Sequence, residues 1–233
     1  MRMLYGELSS WWPVFSPPEA HEERAALFAE ILKKACEPEL VLELGCGGGS
    51  VAWHLKKRFT MHLTDISPEM LREAARLNPG CVRYQADMRD VRLNRIYDAV
   101  LLGDAVMYMR TEEDLRKAMA SAYAHLRPGG AALFAPDATE ETFLERTEQG
   151  GGELDGREGR YMAWFRDPDP TDGVYDVDFA ILLREGGGQV RCVHDHHECG
   201  VFPRASWLRW LGEAGFEAER IAHHSEMFLG RRG

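Results

Sequence analysis

A glycine-rich turn bordered by acidic residues is the part of the sequence best suited to bind a ligand. Residues 41–50 read VLELGCGGGS, in which a short apolar run containing a glutamate ends in glycines. Glycines allow a ligand to approach bare backbone, and a helix that follows them directs its unsatisfied N–H groups at that ligand. The turn therefore predicts a nucleotide-containing ligand.

The glycine spacing fits two classes of cofactor site. Residues 47–52 match the dinucleotide pattern G-x-G-x-x-A, while residues 43–49 match the E-x-G-x-G-x-G pattern typical of S-adenosylmethionine (SAM) sites. Asp65 lies about 20 residues beyond the first glycine, where a carboxylate can accept from both ribose hydroxyls in either class. Asp87 and Met88 favour SAM, because a carboxylate there can accept from the exocyclic amine of adenine while the next backbone N–H serves a ring nitrogen. On the glycines alone, the dinucleotide alternative remains open.

Strands and helices alternate around these residues, which places the acids at strand ends. Hydrophobic periodicity predicts helices at 19–36, 67–77 and 112–126, with Ser67 as the N-cap of the second. It also predicts strands at 40–44, 60–63, 81–85, 97–102 and 131–135, and a turn at 127–130. This alternation indicates an α/β fold, a doubly wound parallel sheet with helices on both faces.

The pattern changes after Pro136. Runs at 160–166, 174–184 and 190–199 alternate partly with period two, and glycines 186–188 join the last two as a hairpin. We therefore predict an antiparallel β insertion after the fifth strand, with glycines 150–152 in a loop and the acidic residues 140–148 in a solvated helix or loop. The predicted organisation has four parts: an N-terminal segment with the first helix (1–37), an α/β core (38–137), the insertion as a substrate lobe (138–200), and a return helix with closing strands (201–233).

Composition limits the classes of partner and compartment. The 233 residues contain 28 Lys and Arg against 38 Asp and Glu, a net charge of −10 at pH 7. This balance argues against a nucleic-acid partner, because phosphates are held by clustered Lys and Arg. No apolar run is long enough to span a bilayer and the first residues lack a signal pattern, so we predict a cytoplasmic protein without membrane contact. The five cysteines are scattered without a C-x-x-C pair, which favours neither disulfides nor a thiolate zinc site.

Five motifs in order resemble those of class I SAM-dependent methyltransferases: VLELGCGGGS, LTDISPEML, YQADMRD, YDAVLLGDAVMYM and LRPGGAALFAPD. A match of five motifs across residues 38–137 is far more specific than one glycine loop. More narrowly, DAVMYM followed by TEEDLRKA, together with strands inserted after the fifth strand, is similar to small-molecule methyltransferases that include deoxyaminosugar N,N-dimethyltransferases. The resemblance implies the Rossmann-like fold of that class.

The resemblance also implies a set of cofactor-binding residues. The backbone of Gly45 and Gly47 would line the methionine portion of SAM, Glu43 would orient that loop, and Asp65 would hold the ribose hydroxyls. The other members of the set would contact adenine, complete the loop, or lie near the amino-acid end and the transferring methyl: Cys46, Ile66, Met70, Asp87, Met88 and Asp104. Because SAM carries a sulfonium cation, carboxylates around it are electrostatically favourable.

Three residues are candidates for the acceptor side. In the resembling enzymes a tyrosine-bearing N-terminal segment folds over the cofactor as a lid, and Tyr5 is the candidate here; alternatively, the aromatic residues near it cover the apolar face of the first helix. Asp137 follows the fifth strand at the edge where ligands collect, so it either orients the acceptor or caps the next segment. His197 would share a strand face with Asp195 and take a proton from the acceptor. Three ligands on one strand cannot converge, so residues 194–197 favour a polar strand face, and no metal is predicted.

The sequence therefore predicts an enzyme that transfers a methyl group from SAM to a nitrogen or oxygen of a small-molecule metabolite. Two alternatives stay open, an NAD(P)-dependent oxidoreductase and a SAM-binding protein without turnover. Glu43, Asp65 and Asp87 indicate that a cofactor binds, but no residue shows that a reaction follows. Residues 107–109 are interpreted as core or pocket wall. The inserted strands offer an edge or face through which a homodimer could form.

Overall fold

Two β-sheets and the helices around them organise the chain. The computed structural model describes residues 3–223 and 225–233. The strands in this part of the chain are β1 (Leu40–Leu44), β2 (Thr60–Asp65), β3 (Val82–Gln85), β4 (Tyr97–Leu102), β5 (Leu126–Phe134), β6 (Arg146–Leu154), β7 (Arg157–Arg166), β8 (Val174–Glu185), β9 (Arg191–Gly200), β10 (Phe216–Ile221) and β11 (Met227–Arg232). The α-helices in the same part are α1 (Trp12–Phe15), α2 (Glu22–Cys36), α3 (Ser50–Leu55), α4 (Pro68–Leu77), α5 (Glu112–Ala124) and α6 (Arg204–Glu213).

The larger sheet has the order β10-β11-β5-β4-β1-β2-β3. Strands β1 to β5 are parallel, and β11 is antiparallel to both β5 and β10. Buried apolar side chains form one layer that includes α2 and α3 and a second layer that includes α5 and α6. This confirms the predicted doubly wound sheet. Since the carboxyl ends of parallel strands meet at one edge, the acids at or just beyond these strand ends are brought together.

Helix α4 begins at the residue that the sequence predicts. The Ser67 hydroxyl accepts a hydrogen bond from the backbone N–H of Met70 (3.1 Å), and Pro68 occupies the first helical position. This cap satisfies one of the backbone donors that a helix start leaves free. Among the helices of the described residues, none has the length and apolar composition needed to cross a membrane.

The smaller sheet is fully antiparallel, in the order β6-β7-β8-β9. Alternation along β9 is as predicted: Asp195 and His197 are buried on the inner face, whereas His194 and His196 are exposed on the outer face. Since successive strand residues point to opposite faces, the sheet delivers one acid–histidine pair to the interior of the molecule.

The prediction of a loop at glycines 150–152 was wrong, because these residues lie in β6. The prediction of a solvated helix or loop at 140–148 was wrong for residues 146–148, which also lie in β6. These glycines make room for neighbours instead of forming a turn. A Cβ on Gly150 would lie 2.7 Å from the Tyr161 hydroxyl, and one on Gly152 would lie 2.8 Å from the carbonyl oxygen of Val14 in α1. The N-terminal segment therefore packs directly on the backbone of this strand.

The predicted turn at 127–130 is a bulge within β5. Pairing with β4 moves from Tyr97 opposite Leu126 to Ala99 opposite Ala131, so the intervening residues have no partner in the ladder. Gly130 lies against the backbone of Asp98, where a Cβ would come within 2.7 Å of the carbonyl oxygen. A proline and two glycines are tolerated in a strand at such a position.

The packing of α1 on β6 gives the first testable prediction. Gly152→Ala should lower the free energy of unfolding by about 1–3 kcal/mol, because the added methyl must displace the Val14 backbone. In thermal unfolding the midpoint should fall by about 2–4 °C for each kcal/mol. Gly212→Ala is the matched control, since a Cβ there meets no atom within 4 Å and the residue lies inside α6. Equal midpoints for the two variants would contradict this account of the strand glycines.

Candidate active site

A cavity of about 730 Å³ lies where the carboxyl edge of the larger sheet meets the N-terminal segment and the inner face of the smaller sheet. Its volume is typical of small-molecule sites. The sequence-predicted residues that line it are Tyr5, Glu43, Gly45, Cys46, Gly47, Asp65, Ile66, Asp87, Met88, Asp104, Asp137 and His197. Met70 does not line it: this side chain is fully buried beneath the loop, with its terminal methyl 3.6 Å from where a Gly47 Cβ would be.

The glycine loop after β1 is held by its neighbours on both sides. Gly45 has a φ of +77°, and a Cβ there would lie 2.4 Å from the Ala105 Cβ. Gly48 lies under the indole of Trp12, whose Cδ1 would be 2.3 Å from a Cβ. The backbone N–H of Gly47 donates to Asp65 Oδ2 (2.8 Å). Glycine is therefore required here both by conformation and by close packing.

Glu43 places an uncompensated carboxyl at this loop. Its side chain is buried, and within the described residues its Oε2 atom has no hydrogen-bond partner. Burial raises the pKa of Glu43 to about 8, with the charges of Asp104 and Asp65 adding to the effect. A buried polar atom without a partner is costly, and a cationic ligand in the cavity would remove that cost. These carboxyl groups suit SAM as a ligand, because its sulfonium and amino groups are both positively charged.

Asp65 and Ile66 lie at the end of β2. The Asp65 oxygens accept from the backbone N–H groups of Gly47 (2.8 Å) and Ser67 (2.9 Å), and each oxygen retains a lone pair for a further donor. Burial raises the pKa of Asp65 despite these bonds. Ile66 is 61% exposed and presents its apolar side chain at the cavity wall. The pair offers an acceptor beside an uncovered apolar surface, which suits a nucleoside.

Asp87 and Asp104 both have cationic partners. Arg89 Nε contacts both Asp87 oxygens at 3.0 Å, and Arg89 also reaches Asp114 at 3.2 Å. Hydrogen bonds from Arg89 lower the pKa of Asp87, so this carboxylate is ionised at neutral pH. Asp104 pairs with Arg24 of α2. Arg89 lies two residues after Asp87 within the motif YQADMRD, whereas Arg24 meets Asp104 only when α2 packs beside the strand end.

Cys46 is buried at the loop, and burial raises the pKa of its thiol well above the ordinary value, with Glu43 and Asp65 contributing. A thiol that stays protonated is a poor nucleophile, because the thiolate is the reactive form. Cys46 therefore contributes packing and its backbone to the loop.

The N-terminal segment closes the cavity from above. The backbone N–H groups of Met3 and Leu4 donate to the Asp195 carboxylate at 3.1 and 2.8 Å. The carbonyl oxygen of Tyr5 accepts from the Ser67 hydroxyl at 2.5 Å. Tyr5 therefore bridges the smaller sheet and the start of α4. Tyr5 lines the cavity, and its ring packs against Trp12 of α1, with the ring centroids 5.4 Å apart.

Four side chains form a continuous chain of hydrogen bonds along the cavity wall. The hydroxyls of Tyr5 and Tyr108 are 2.7 Å apart, the Tyr108 hydroxyl is 3.0 Å from His197 Nδ1, and His197 Nε2 is 3.1 Å from Asp195 Oδ2. Burial acts against ionisation of Asp195, but hydrogen bonds from His197 and the lid backbone prevail and lower its pKa. Tyr108 is the residue that sequence reasoning missed. Its signal was its place just beyond the carboxyl end of β4, where side chains face the ligand edge.

Asp137 opens onto the cavity while protein surrounds it on all other sides. This enclosure raises the pKa of Asp137 to about 7, and the charge of Asp104 and, more weakly, that of Glu148 act in the same direction. Glu148 also lines the cavity. Three carboxyl groups thus contribute to one region, next to the aromatic rings of Tyr161 and Phe179. Two of them pair with arginines, Asp104 with Arg24 and Glu148 with Arg146, which partly offsets their charge.

The outer histidines of β9 contact acids of β8 instead of facing the cavity. His194 Nε2 and His196 Nδ1 lie 2.8 and 3.0 Å from Asp178 Oδ1. Within residues 3–223 and 225–233, no group of three or more His, Cys, Asp or Glu side chains has the arrangement of a metal site.

Comparisons with known proteins agree with this geometry. A family model described as a methyltransferase domain matches residues 41–130. A dTDP-3-amino-3,4,6-trideoxy-alpha-D-glucopyranose N,N-dimethyltransferase from Streptomyces venezuelae is 30% identical over 188 residues, which cover 79% of this chain and 78% of that protein.

Solved structures show the same fold. DesVI of Streptomyces venezuelae superposes with a TM-score of 0.84 at 26% identity, covering 91% of this chain and 92% of that chain. SAM-bound CalS10, an amino pentose methyltransferase from Micromonospora echinaspora, superposes with a TM-score of 0.79 at 24% identity over 91% of each chain. The cofactor is therefore SAM, and the dinucleotide alternative falls. The chain belongs to the class I SAM-dependent methyltransferases, and it is an enzyme that uses SAM.

Proposed function

We propose that this enzyme transfers the methyl group of SAM to the amine nitrogen of a small molecule, with amino sugars as the acceptor class. The observation that carries the proposal is the acidic acceptor side of the cavity, where Asp137 faces the interior with Asp104 and Glu148 nearby. Carboxylates attract and orient an ammonium group, whereas a neutral hydroxyl gains much less from them. The printed name of the Streptomyces venezuelae relative, a sugar N,N-dimethyltransferase, supports the same choice.

We assign the two sides of the cavity to different parts of the chain. The core at 38–137, closed by 201–233, would hold SAM. The N-terminal segment 1–37 and the insertion 138–200 would select the acceptor. The division rests on the lining residues, because the glycine loop and strand-end acids come from the first part and Tyr161, Phe179 and His197 from the insertion.

The proposed cofactor roles follow from what each residue presents to the cavity. Asp65 would accept from the ribose hydroxyls, Asp87 from the adenine amine, and Glu43 would keep the loop oriented and balance positive charge. Met70 would support the loop from beneath. The remaining members of the set would contribute backbone, an apolar wall for adenine, or charge near the methionine end: Gly45, Cys46, Gly47, Ile66, Met88 and Asp104.

SAM, when bound, supplies an electrophilic methyl group on a sulfonium centre. The residues of this chain would hold the amine lone pair in line with that methyl group and exclude water with the lid, which brings the reacting atoms together in a dry site. The amine must be neutral to attack, so Asp137 would hold its ammonium form and the wall bearing Tyr5, Tyr108 and His197 would receive the proton. One N–C bond forms, the S–C bond breaks, and one proton leaves the nitrogen.

We also propose a homodimer formed through the outer face of the smaller sheet. Met162, Trp164 and Leu182 are 44–48% exposed there, and Trp164 and Met162 lie on one strand beside Leu182 on the next. Apolar residues grouped on an open sheet face favour association. A cytoplasmic location and the absence of a nucleic-acid partner, both expected from the sequence, remain predictions.

Binding of SAM should release protons near pH 7. The raised pKa values of Glu43, about 8, and Asp137, about 7, mean that both carboxyls are partly protonated without ligand. A nearby cation lowers a carboxyl pKa, so part of these protons should leave on binding. Calorimetry in buffers of different ionisation enthalpy measures the number released, and Glu43→Gln should reduce it.

S-adenosylhomocysteine is the matched ligand control, because it lacks the sulfonium charge and should release fewer protons. Asp155→Asn is the matched protein control, since that carboxylate is exposed in the turn between β6 and β7. Proton uptake by the wild type, or equal release by wild type and Glu43→Gln, would contradict the charge role given to Glu43.

The acceptor class is tested with pairs of sugars that differ only in an amino or a hydroxyl group. Mass spectrometry should detect N-methylated and N,N-dimethylated products from the amines and no product from the matched alcohols. Asp137→Asn should raise KM for the amine about tenfold, equivalent to about 1.4 kcal/mol of lost attraction, with a smaller effect on kcat.

Asp155→Asn again serves as the control and should retain wild-type KM. Methylation of the alcohols in preference to the amines would overturn the proposed nitrogen acceptor. An unchanged KM in Asp137→Asn would remove Asp137 from the acceptor site.

A further inference from the structure

The hydrogen-bond chain along the cavity wall has a direction that is set at its buried end. Asp195 is only 5% exposed, and its pKa is lowered, so it is a carboxylate that can only accept. His197, which is 1% exposed, must therefore donate from Nε2 to Asp195. A neutral imidazole that donates from Nε2 carries a lone pair on Nδ1, which can accept.

The same direction continues through both tyrosines. When His197 is neutral with its proton on Nε2, Nδ1 accepts and the Tyr108 hydroxyl donates to it across 3.0 Å. The Tyr108 oxygen then accepts from the Tyr5 hydroxyl across 2.7 Å. The Tyr5 oxygen is thus left with a lone pair at the cavity, which can accept a proton from a ligand.

We propose that Tyr108 is a proton-relay residue that connects the acceptor amine, through Tyr5, to His197 as the final base. This inference rests on the proposed amine acceptor. It assigns a function to a residue that the sequence motifs present as pocket wall. The base is buried behind two hydroxyls, so it removes the proton without itself contacting the acceptor.

Every proton that moves along the relay is accounted for. The ammonium proton moves to the Tyr5 oxygen, the Tyr5 proton moves to Tyr108, and the Tyr108 proton moves to His197 Nδ1. No bond other than O–H and N–H is made or broken. The resulting imidazolium pairs with the Asp195 carboxylate, and the amine regains its lone pair for the methyl transfer. Burial raises the pKa of the Tyr5 phenol far above neutrality, so the protons must move together without a free phenolate.

Titratable groups face both ends of this hydrogen-bond chain. Asp195 faces His197 from the same strand, and Tyr108 faces it from the segment after β4. Around Tyr5, the groups that exert a charge effect are Cys199 of β9, Asp104 and Asp137. The two acids carry negative charge when ionised and raise the pKa of the Tyr5 phenol, whereas Asp195 places negative charge beside the imidazolium at the other end of the relay.

The first part of the test needs no substrate. Long-range ¹H–¹⁵N correlation spectra of the full-length protein should show His197 as the Nε2–H tautomer, with the resonance assigned by its loss in His197→Gln. Tyr108→Phe should shift the Nδ1 resonance downfield, because the nitrogen loses its donor. A His197 found as the Nδ1–H tautomer would overturn the relay.

The second part uses the amine reaction. Tyr108→Phe should lower kcat at pH 7 by about 100-fold, the lower range for general base catalysis, with KM for the amine changed less than about twofold. The deficit should disappear as pH rises above the pKa of the amine, because the acceptor is then already neutral. A purely structural role for Tyr108 would leave a deficit at every pH.

Tyr97→Phe is the matched control. Tyr97 also contacts a histidine, His62 Nδ1 at 3.1 Å, but the pair is buried away from the cavity, so kcat should stay within about twofold of wild type. Wild-type kcat in Tyr108→Phe, or a deficit independent of pH, would overturn the relay while leaving amine methylation intact. If the wild type methylates only alcohols, the proposed function fails, and the tautomer of His197 still decides the direction of the chain.

Discussion

The burial of the Asp195 carboxylate is the constraint on which the closed cavity depends. A buried charge is tolerated only when donors surround it, and here the donors come from the lid backbone at Met3 and Leu4 and from His197. One carboxylate therefore joins the N-terminal segment to the inserted sheet. It also fixes the ring of His197 at the cavity wall. The position of the N-terminal segment over the cavity and the orientation of the His197 ring are thus two results of one interaction.

Charge explains why the two sides of the cavity work together. Acids from the strand ends surround the place where a sulfonium would bind, and further acids face the place where an amine would bind. Without ligands, burial and the negative charge of neighbouring carboxylates, Asp104 above all, hold Glu43 and Asp137 partly protonated. Two cationic ligands would relieve this repulsion, so the cavity is matched to a positively charged donor and a positively charged acceptor.

Local patterns were sufficient to predict the cofactor half of the molecule. Strands β1 and β4, the Ser67 cap and the strand-end acids all depend on residues close in sequence, and they were found where expected. The insertion was harder because its features depend on distant partners. Glycines 150–152 are strand residues because they pair with β7, and Gly152 lies against α1, more than a hundred positions earlier. The hydrogen bonds of Tyr108 could not be predicted for the same reason, since its partners at positions 5 and 197 meet it only in the folded chain.

The anchoring of the N-terminal segment by the Asp195 carboxylate is tested most directly by amide hydrogen exchange at Leu4 in Asp195→Asn. The substitution keeps the size of the side chain but replaces the charged acceptor, so it should remove about 1.5–3 kcal/mol of hydrogen bonding. Exchange at Leu4 should become at least about tenfold faster than in the wild type, while exchange within β1 and β4 stays unchanged. Equal exchange at Leu4 in the two proteins would contradict the central role given to Asp195.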